Sequence, residues 1–384
     1  MATAFAPWAA AAQGSPFSGY YQNVGTVTGR IGLGGTALAD LQRLRLMLAP
    51  AWGPADAEVA LEHTFTWENA GSATPAFGLL SSTRAGDDWL GIDWTIHNGP
   101  TVVWRQRVDR LNVGWSTAAW SVRVGRQAIS WATTLFLTPA DPFVPFDPAD
   151  PFREYRRGVD AVRAQWYPSA LSVVDVVIRP ASTPYGDTFT ALARSKATVL
   201  GWEVSAWGGE VQGAAGAGAG LTRSVGASAL RGELALRKDS SGGLVVRGAV
   251  GLDRRVTVAG RDLYGVIEYQ HDGYGAANAG ELPAVALSRP AQRAELQVLG
   301  RDEAAAQLTY QLHPLLGIEL LALWNLRDGS GLVAPAASFS VSDEVTARGG
   351  VFLAVGRSGP SLVAPASEYG PLPAGGYVAV SAFF

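Results

Sequence analysis

The 384-residue chain has no cysteine, two methionines and only two lysines, Lys196 and Lys238. It also lacks any apolar run near the roughly 18 residues that a membrane helix needs. Without cysteine there are no disulfides and no thiolate metal sites. Charged residues make up 16% of the chain, where soluble proteins usually reach about 25%. The net charge of −3 argues against a nucleic-acid partner, which calls for a basic excess. Catalytic signatures are missing too: there is no G-x-S-x-G elbow and no H-E-x-x-H pair. The four histidines are scattered, and an adjacent pair such as His271 and Asp272, where a strand candidate gives way to a loop, does not make a ligand set. Gly32 and Gly34 lack the third glycine and the βαβ setting of a nucleotide site. The chain is therefore read as a non-enzyme with no cofactor and no metal. No basic residue precedes Arg30, so the N-terminus has no signal-peptide n-region. Residues 1–16 read as a processed, periplasmic segment.

What the chain does have is apolarity dispersed by alternation: 48% hydrophobic residues with almost no helical period. In residues 302–313, Ala304, Ala306, Leu308, Tyr310 and Leu312 share one face, while Glu303, Gln307, Thr309, Gln311 and His313 share the other. After the break at Pro314, Ile318, Leu320, Ala322, Trp324 and Leu326 oppose Glu319, Asn325 and Arg327. Period two marks a strand between unlike solvents. The apolar solvent is either a soluble protein's own core or lipid around a barrel.

Strand length and loop pattern decide for lipid. Candidates of about 9 to 13 residues, the length of a tilted membrane strand, fall near 17–29, 38–50, 56–67, 101–112, 118–128, 159–167, 170–179, 198–208, 210–220, 225–237, 243–253, 261–271, 303–313, 315–326, 331–342, 345–356 and 374–384. Short connections such as 115–118, 167–170 and 313–315 alternate with long ones at 68–100, 129–158, 272–302 and 357–373. That is the pattern of periplasmic turns and extracellular loops. Trp115, Trp120, Trp166 and Tyr167 flank short turns as an interfacial girdle would, and the last strand ends on Phe384. The expected fold is all-β: a single antiparallel transmembrane barrel over 17–384, of 16 to 18 strands. Seventeen candidates is an odd number, and the sides of the loops disagree between residues 180 and 260. Either "TFTALARSKA" (188–197) is a further strand, giving 18, or "GAAGAGAG" (213–220) falls short of one, giving 16. Eighteen is favoured.

The segments "VRVGRQAISW", "TPADPFVPFDPADPFREYRRGVD", "VIEYQHDGYGA" and "LWNLRDGSGL" together resemble bacterial outer-membrane porin-like barrels, including those of exopolysaccharide export systems of the alginate type. The resemblance implies an outer-membrane conduit for a polar solute or polysaccharide. On the export reading it also implies contact with periplasmic export components. Outer-membrane lipid is the surrounding partner.

Two sets of residues carry the chemistry. In 129–158, prolines 139, 142, 145, 148 and 151 exclude regular structure. Asp141, Asp147, Asp150 and Glu154 interleave there with Arg153, Arg156 and Arg157. Such a loop could fold into the lumen as a constriction or lie outside as a cap closed by its own ion pairs. The second set faces inward by alternation: Arg43, Arg45, Arg105, Arg107, Arg123, Arg163, Arg179, Arg231, Arg237 and Arg327, with Glu58, Glu62, Asp175, Glu233 and Glu319. Arg247, Arg348, Asp109, Glu203, Asp253 and Glu268 extend it. Guanidinium donors suit carboxylates and sugar hydroxyls, whereas acids in near-equal number would pair with them across strands. Conduction of a polar solute or polysaccharide is the expected function. A general or substrate-specific diffusion porin, an outer-membrane enzyme and a closed structural barrel are the alternatives.

Overall fold

A computed structural model describes residues 16–29, 35–69, 88–143, 155–239, 242–359 and 364–384. Eighteen antiparallel strands pair in chain order and close on themselves. They are β1 Phe17–Gly29, β2 Thr36–Leu48, β3 Ala55–Glu68, β4 Val102–Ser116, β5 Trp120–Gln127, β6 Val159–Ser169, β7 Ser172–Thr183, β8 Gly186–Val199 and β9 Trp202–Val211. The second half comprises β10 Ala214–Val225, β11 Ser228–Lys238, β12 Leu244–Val258, β13 Arg261–Asp272, β14 Asp302–His313, β15 Leu316–Asn325, β16 Gly331–Ser340, β17 Val345–Val355 and β18 Gly375–Phe383. Closure runs from Tyr20 opposite Phe383 to Thr28 opposite Gly375, and the Gly19 N–H donates to the Phe384 carbonyl at 2.7 Å.

The strand missing from the sequence parse is β8, which contains "TFTALARSKA", and the glycine/alanine segment is a complete strand, β10. Alternation is faint in β8 because its outward positions include Ala191, Ala193, Ser195 and Ala197 while its inward face carries Leu192. Small residues outside and a leucine inside leave little polarity contrast to read.

Alternation elsewhere sorts as expected for lipid outside. Leu308, Leu312, Leu320 and Trp324 are exposed on the outer surface, and Glu303 and Asn325 on the opposite face of the same strands are buried. Trp115, Trp120, Trp166 and Tyr167 are exposed beside the short turns, with the Trp120 and Trp166 rings 6.0 Å apart. Trp67, Trp94, Trp104 and Trp324 make a second exposed row toward the other end, so the apolar belt has an aromatic border on both sides.

One stretch of wall is assembled differently. β5 is the shortest strand and ends at Gln127 opposite Val159, where β6 begins. β4 rises above that height, and there its free edge pairs with Asp93–Asn98, a strip of the long loop before it. Arg126 seals the joint, binding Asp160 at 2.8 Å and the carbonyls of Leu90 and Val108, while Asp88 bridges Arg107 and Arg157. Ending β5 early frees the chain beyond it to turn inward.

The assignment of faces has a direct measure. Leu320→Arg should cost about 2–4 kcal/mol in reversible unfolding from lipid vesicles. Thr309→Arg, facing inward opposite Glu319, should cost well under half of that. Equal costs would overturn the assignment.

Candidate functional site: the lumen and the loop across it

Beyond β5 the segment 128–143 enters the barrel and is anchored on distant wall. Glu233 of β11 accepts the backbone N–H groups of Thr133 (2.7 Å), Thr134 (3.1 Å) and Ala140 (3.1 Å). Glu268 of β13 accepts those of Leu135 (2.6 Å), Phe136 (2.9 Å) and Leu137 (2.8 Å). A loop with no regular structure must satisfy its backbone donors somewhere, and here two wall carboxylates take six of them. β13 lies eight strands from β5 in a ring of eighteen, so the segment spans the lumen.

Its side chains divide between two walls. Ile129, Trp131, Ala140 and Phe143 pack on Val159, Ala161, Val177, Leu192, Trp207, Val211 and Ala235, with Trp131 edge-on to Phe143 at 5.1 Å. Leu137 packs on the opposite side with Val24, Leu323, Leu332 and Phe352. Burying each of these large side chains is worth about 1.5–3 kcal/mol. The lumen is therefore not polar throughout, as alternation alone implied; it is apolar where the loop touches the wall. The glycine/alanine strand makes room for this contact. A β-carbon on Gly218 would stand 2.5 Å from the Trp207 ring, and one on Gly220 would collide with Thr133 of the loop.

Most of the inward-facing charges occur as ion pairs. Arg45 binds Asp109 at 2.7 Å and Glu62 at 3.5 Å and lies 4.6 Å over the Tyr155 ring; Arg43 is 3.8 Å from Glu62. Glu58 meets Arg110 at 3.7 Å and Asp56 meets Arg123 at 2.5 Å. Asp175 holds Arg163 (2.6 Å), Arg194 (3.5 Å) and the Trp131 indole N–H (3.0 Å). Further round the wall are Arg231–Asp253 (2.9 Å), Arg237–Glu295 (3.3 Å), Arg247–Asp272 (2.7 Å), Arg348–Glu319 (2.6 Å) and Lys196–Glu203 (2.9 Å). A guanidinium as enclosed as Arg45, 1% exposed, is tolerable only with such partners. Arg179 is buried on β7. Arg105, on the upper part of β4, is exposed and makes no ion pair among the described residues.

Other positions depart from the sequence reading. Arg327 does not line the lumen: it lies in the turn after β15 and binds Asp302, which faces outward beside Tyr269 and His271. The turn breaks the alternation on which its placement relied. Of the loop acids and bases, Asp141 binds Arg156 at 3.2 Å and Ser130 at 2.6 Å, and Arg157 binds Asp88. Asp147, Asp150, Arg153 and Glu154 lie outside the described residues. Alternation did not single out Arg110, Arg126 or Asp160, because a bulge in β4 at Asp109 and the inserted strip 93–98 shift the period there.

No protein-family model and no curated protein matches the chain. Solved structures do. OccAB1 of Acinetobacter baumannii is similar at a TM-score of 0.55 and 8% identity, with 96% of each chain covered. A BenF-like porin of Pseudomonas fluorescens Pf-5 is similar at 0.55 and 10%, covering 97% of this chain and 99% of that one. The outer membrane protein OpdK of Pseudomonas aeruginosa follows at 0.52 and 10%, with 96% and 98% covered. At these identities the likeness is one of fold. The chain has the barrel architecture of outer-membrane porins, and its closed wall and apolar belt place it in the outer membrane.

The anchoring of the loop is testable. Glu268→Ala strips the acceptor from three backbone donors, each worth about 1–3 kcal/mol when left unpaired. Chymotrypsin should then cut at Phe136 much faster in the folded variant, while the barrel's heat-modifiable migration stays unchanged.

Proposed function

We propose that the chain is a selective diffusion porin of the Gram-negative outer membrane, passing small polar solutes, with organic carboxylates as the first class to test. The observation that carries this reading is the segment 128–143 pinned across the lumen by Glu233 and Glu268. A loop tied to the far wall narrows the path to one suited to small molecules. A conduit for polysaccharide would need a lumen that a polymer can thread, and the anchored loop works against that. The similar structures named above are porins or outer-membrane proteins, which gives the alginate-export resemblance no added support.

Two neighbours favour carboxylates. OpdK has been solved with vanillate and OccK2 (OpdF) of Pseudomonas aeruginosa with glucuronate, the chains sharing 9% and 10% identity with this one. Both compounds carry a carboxylate, the group that a guanidinium binds through two parallel hydrogen bonds. In this chain Arg105 is exposed on β4, whereas the arginines deeper in the wall already hold acids. Paired charges still offer donors and acceptors to a passing solute without trapping it, which suits diffusion.

Replacing residues 130–143 with a shorter Gly/Ser linker should raise single-channel conductance on the order of twofold or more with the strands still paired. An unchanged conductance would take the loop off the conduction path. Arg105→Gln should shift the reversal potential in a salt gradient toward cations and slow uptake of small carboxylates in a liposome-swelling assay, leaving neutral sugars unaffected.

A further inference from the structure

The segments that cover the extracellular end of the lumen meet at one point. Glu303 of β14, Asn325 of β15 and Glu368 of the arm 364–374 converge on Gly300. A β-carbon there would touch Glu303 Oε1, Asn325 Nδ2 and Glu368 Oε2 together. Glu368 accepts the Leu299 N–H and the Asn325 amide, each at 2.7 Å, and its own N–H donates to Asp328 Oδ2 at 2.7 Å. The Tyr369 hydroxyl donates to Glu303 Oε2 at 3.3 Å, and the Tyr369 N–H donates to Ser330 at 3.2 Å. One carboxyl group thus joins the arm 364–374, the loop 273–301 and the wall.

The titratable groups facing this point are Glu303, Glu368, Asp328 and Tyr369. Among the described residues neither glutamate has an ion pair with Arg or Lys. The nearby cations are engaged elsewhere, Arg327 with Asp302 and Arg301 with the Gly275 carbonyl. As two carboxylates, Glu303 and Glu368 would both be acceptors only, and the fully buried Glu303 Oε1 then has no donor. A proton held between the two carboxyls supplies that donor and removes the repulsion of like charges.

We propose that Glu303 and Glu368 form a proton-operated latch. Sharing one proton, they hold the arm 364–374 and the loop 273–301 against the wall; losing it, they repel, and both segments lift from the mouth of the lumen. Burial raises the Glu368 carboxyl above the usual carboxylate range, an effect partly offset by the hydrogen bonds from Glu303, Leu299 and Asn325. A carboxyl raised in the docked state favours docking at low pH, and that contribution is lost as pH climbs through the raised value.

The absence of cysteine permits a single reporter at Leu372, which is partly buried against the inner apolar cluster. Leu372→Cys is labelled with a membrane-impermeant maleimide across a pH series, in the otherwise native chain and together with Glu368→Gln. The amide of Gln keeps a hydrogen-bond donor at every pH, and the ratio of the two rates cancels the titration of the thiol itself. The ratio should rise with pH by up to about tenfold per unit over the range in which one proton leaves. Glu303→Gln serves in the same comparison should Glu368→Gln fail to fold. A ratio that is flat or falls with pH overturns the latch. Bilayer conductance is the second readout and rests on the porin reading: it should rise with pH in the native chain and stay low in Glu368→Gln. A rising labelling ratio without any conductance would count against the porin and leave the latch standing, whereas conductance with a flat ratio would do the reverse.

Discussion

In hydrocarbon a backbone N–H or carbonyl has no water to turn to, and each one left unpaired costs several kcal/mol. Every large feature of this molecule answers to that constraint. The strands pair in sequence, and the first pairs with the last, so that the ring of eighteen closes without a free first or last strand. Where β5 stops short, the exposed edge of β4 is covered by Asp93–Asn98, and Arg126 satisfies the carbonyls of Leu90 and Val108 at the joint. The local architecture departs from a plain up-and-down barrel, but the pairing of the backbone is kept.

The same accounting governs the inside. A proline-bearing loop cannot pair its donors within itself, so its entry into the lumen requires acceptors there. Glu233 and Glu268 supply them, each accepting three N–H groups. A carboxylate is well suited to this role because it has several acceptor sites and no donor to strand. Hydrophobic contact completes the attachment. Trp131 and Phe143 settle on one wall and Leu137 on the other, while the side-chain-free face of β10 lets the loop approach.

Charge in the lumen is spent largely on the wall itself. Arg45, Arg123, Arg163, Arg231 and Arg348 each hold an acid on another strand, so the surplus of arginine over lysine serves packing and register as well as any solute. A planar fork that donates to two partners at once is better fitted to such pairing than an ammonium group. On the proposed porin reading, selectivity rests on the few charges left over and on the width of the path beside the loop.

Alternation of side chains, together with strand length and the short-then-long spacing of the connections, pointed without any coordinates to a barrel with lipid outside and its long loops gathered at one end. A strand between two solvents must repeat every two residues, and this signal is local. It faded in β8, where the outward residues are alanine and serine, and at Arg327, where a turn ends the period. Alternation also placed the arginines and acids on the inner face but could not say which pairs form. Only the tertiary structure decided that residues 128–143 cross the lumen, that Glu233 and Glu268 act as anchors rather than as pore charges, and that Glu303 meets Glu368. Those contacts join residues from 65 to 133 positions apart. They arise from the closure of the ring, which brings opposite walls within reach of one loop and leaves no trace in the spacing of neighbouring residues.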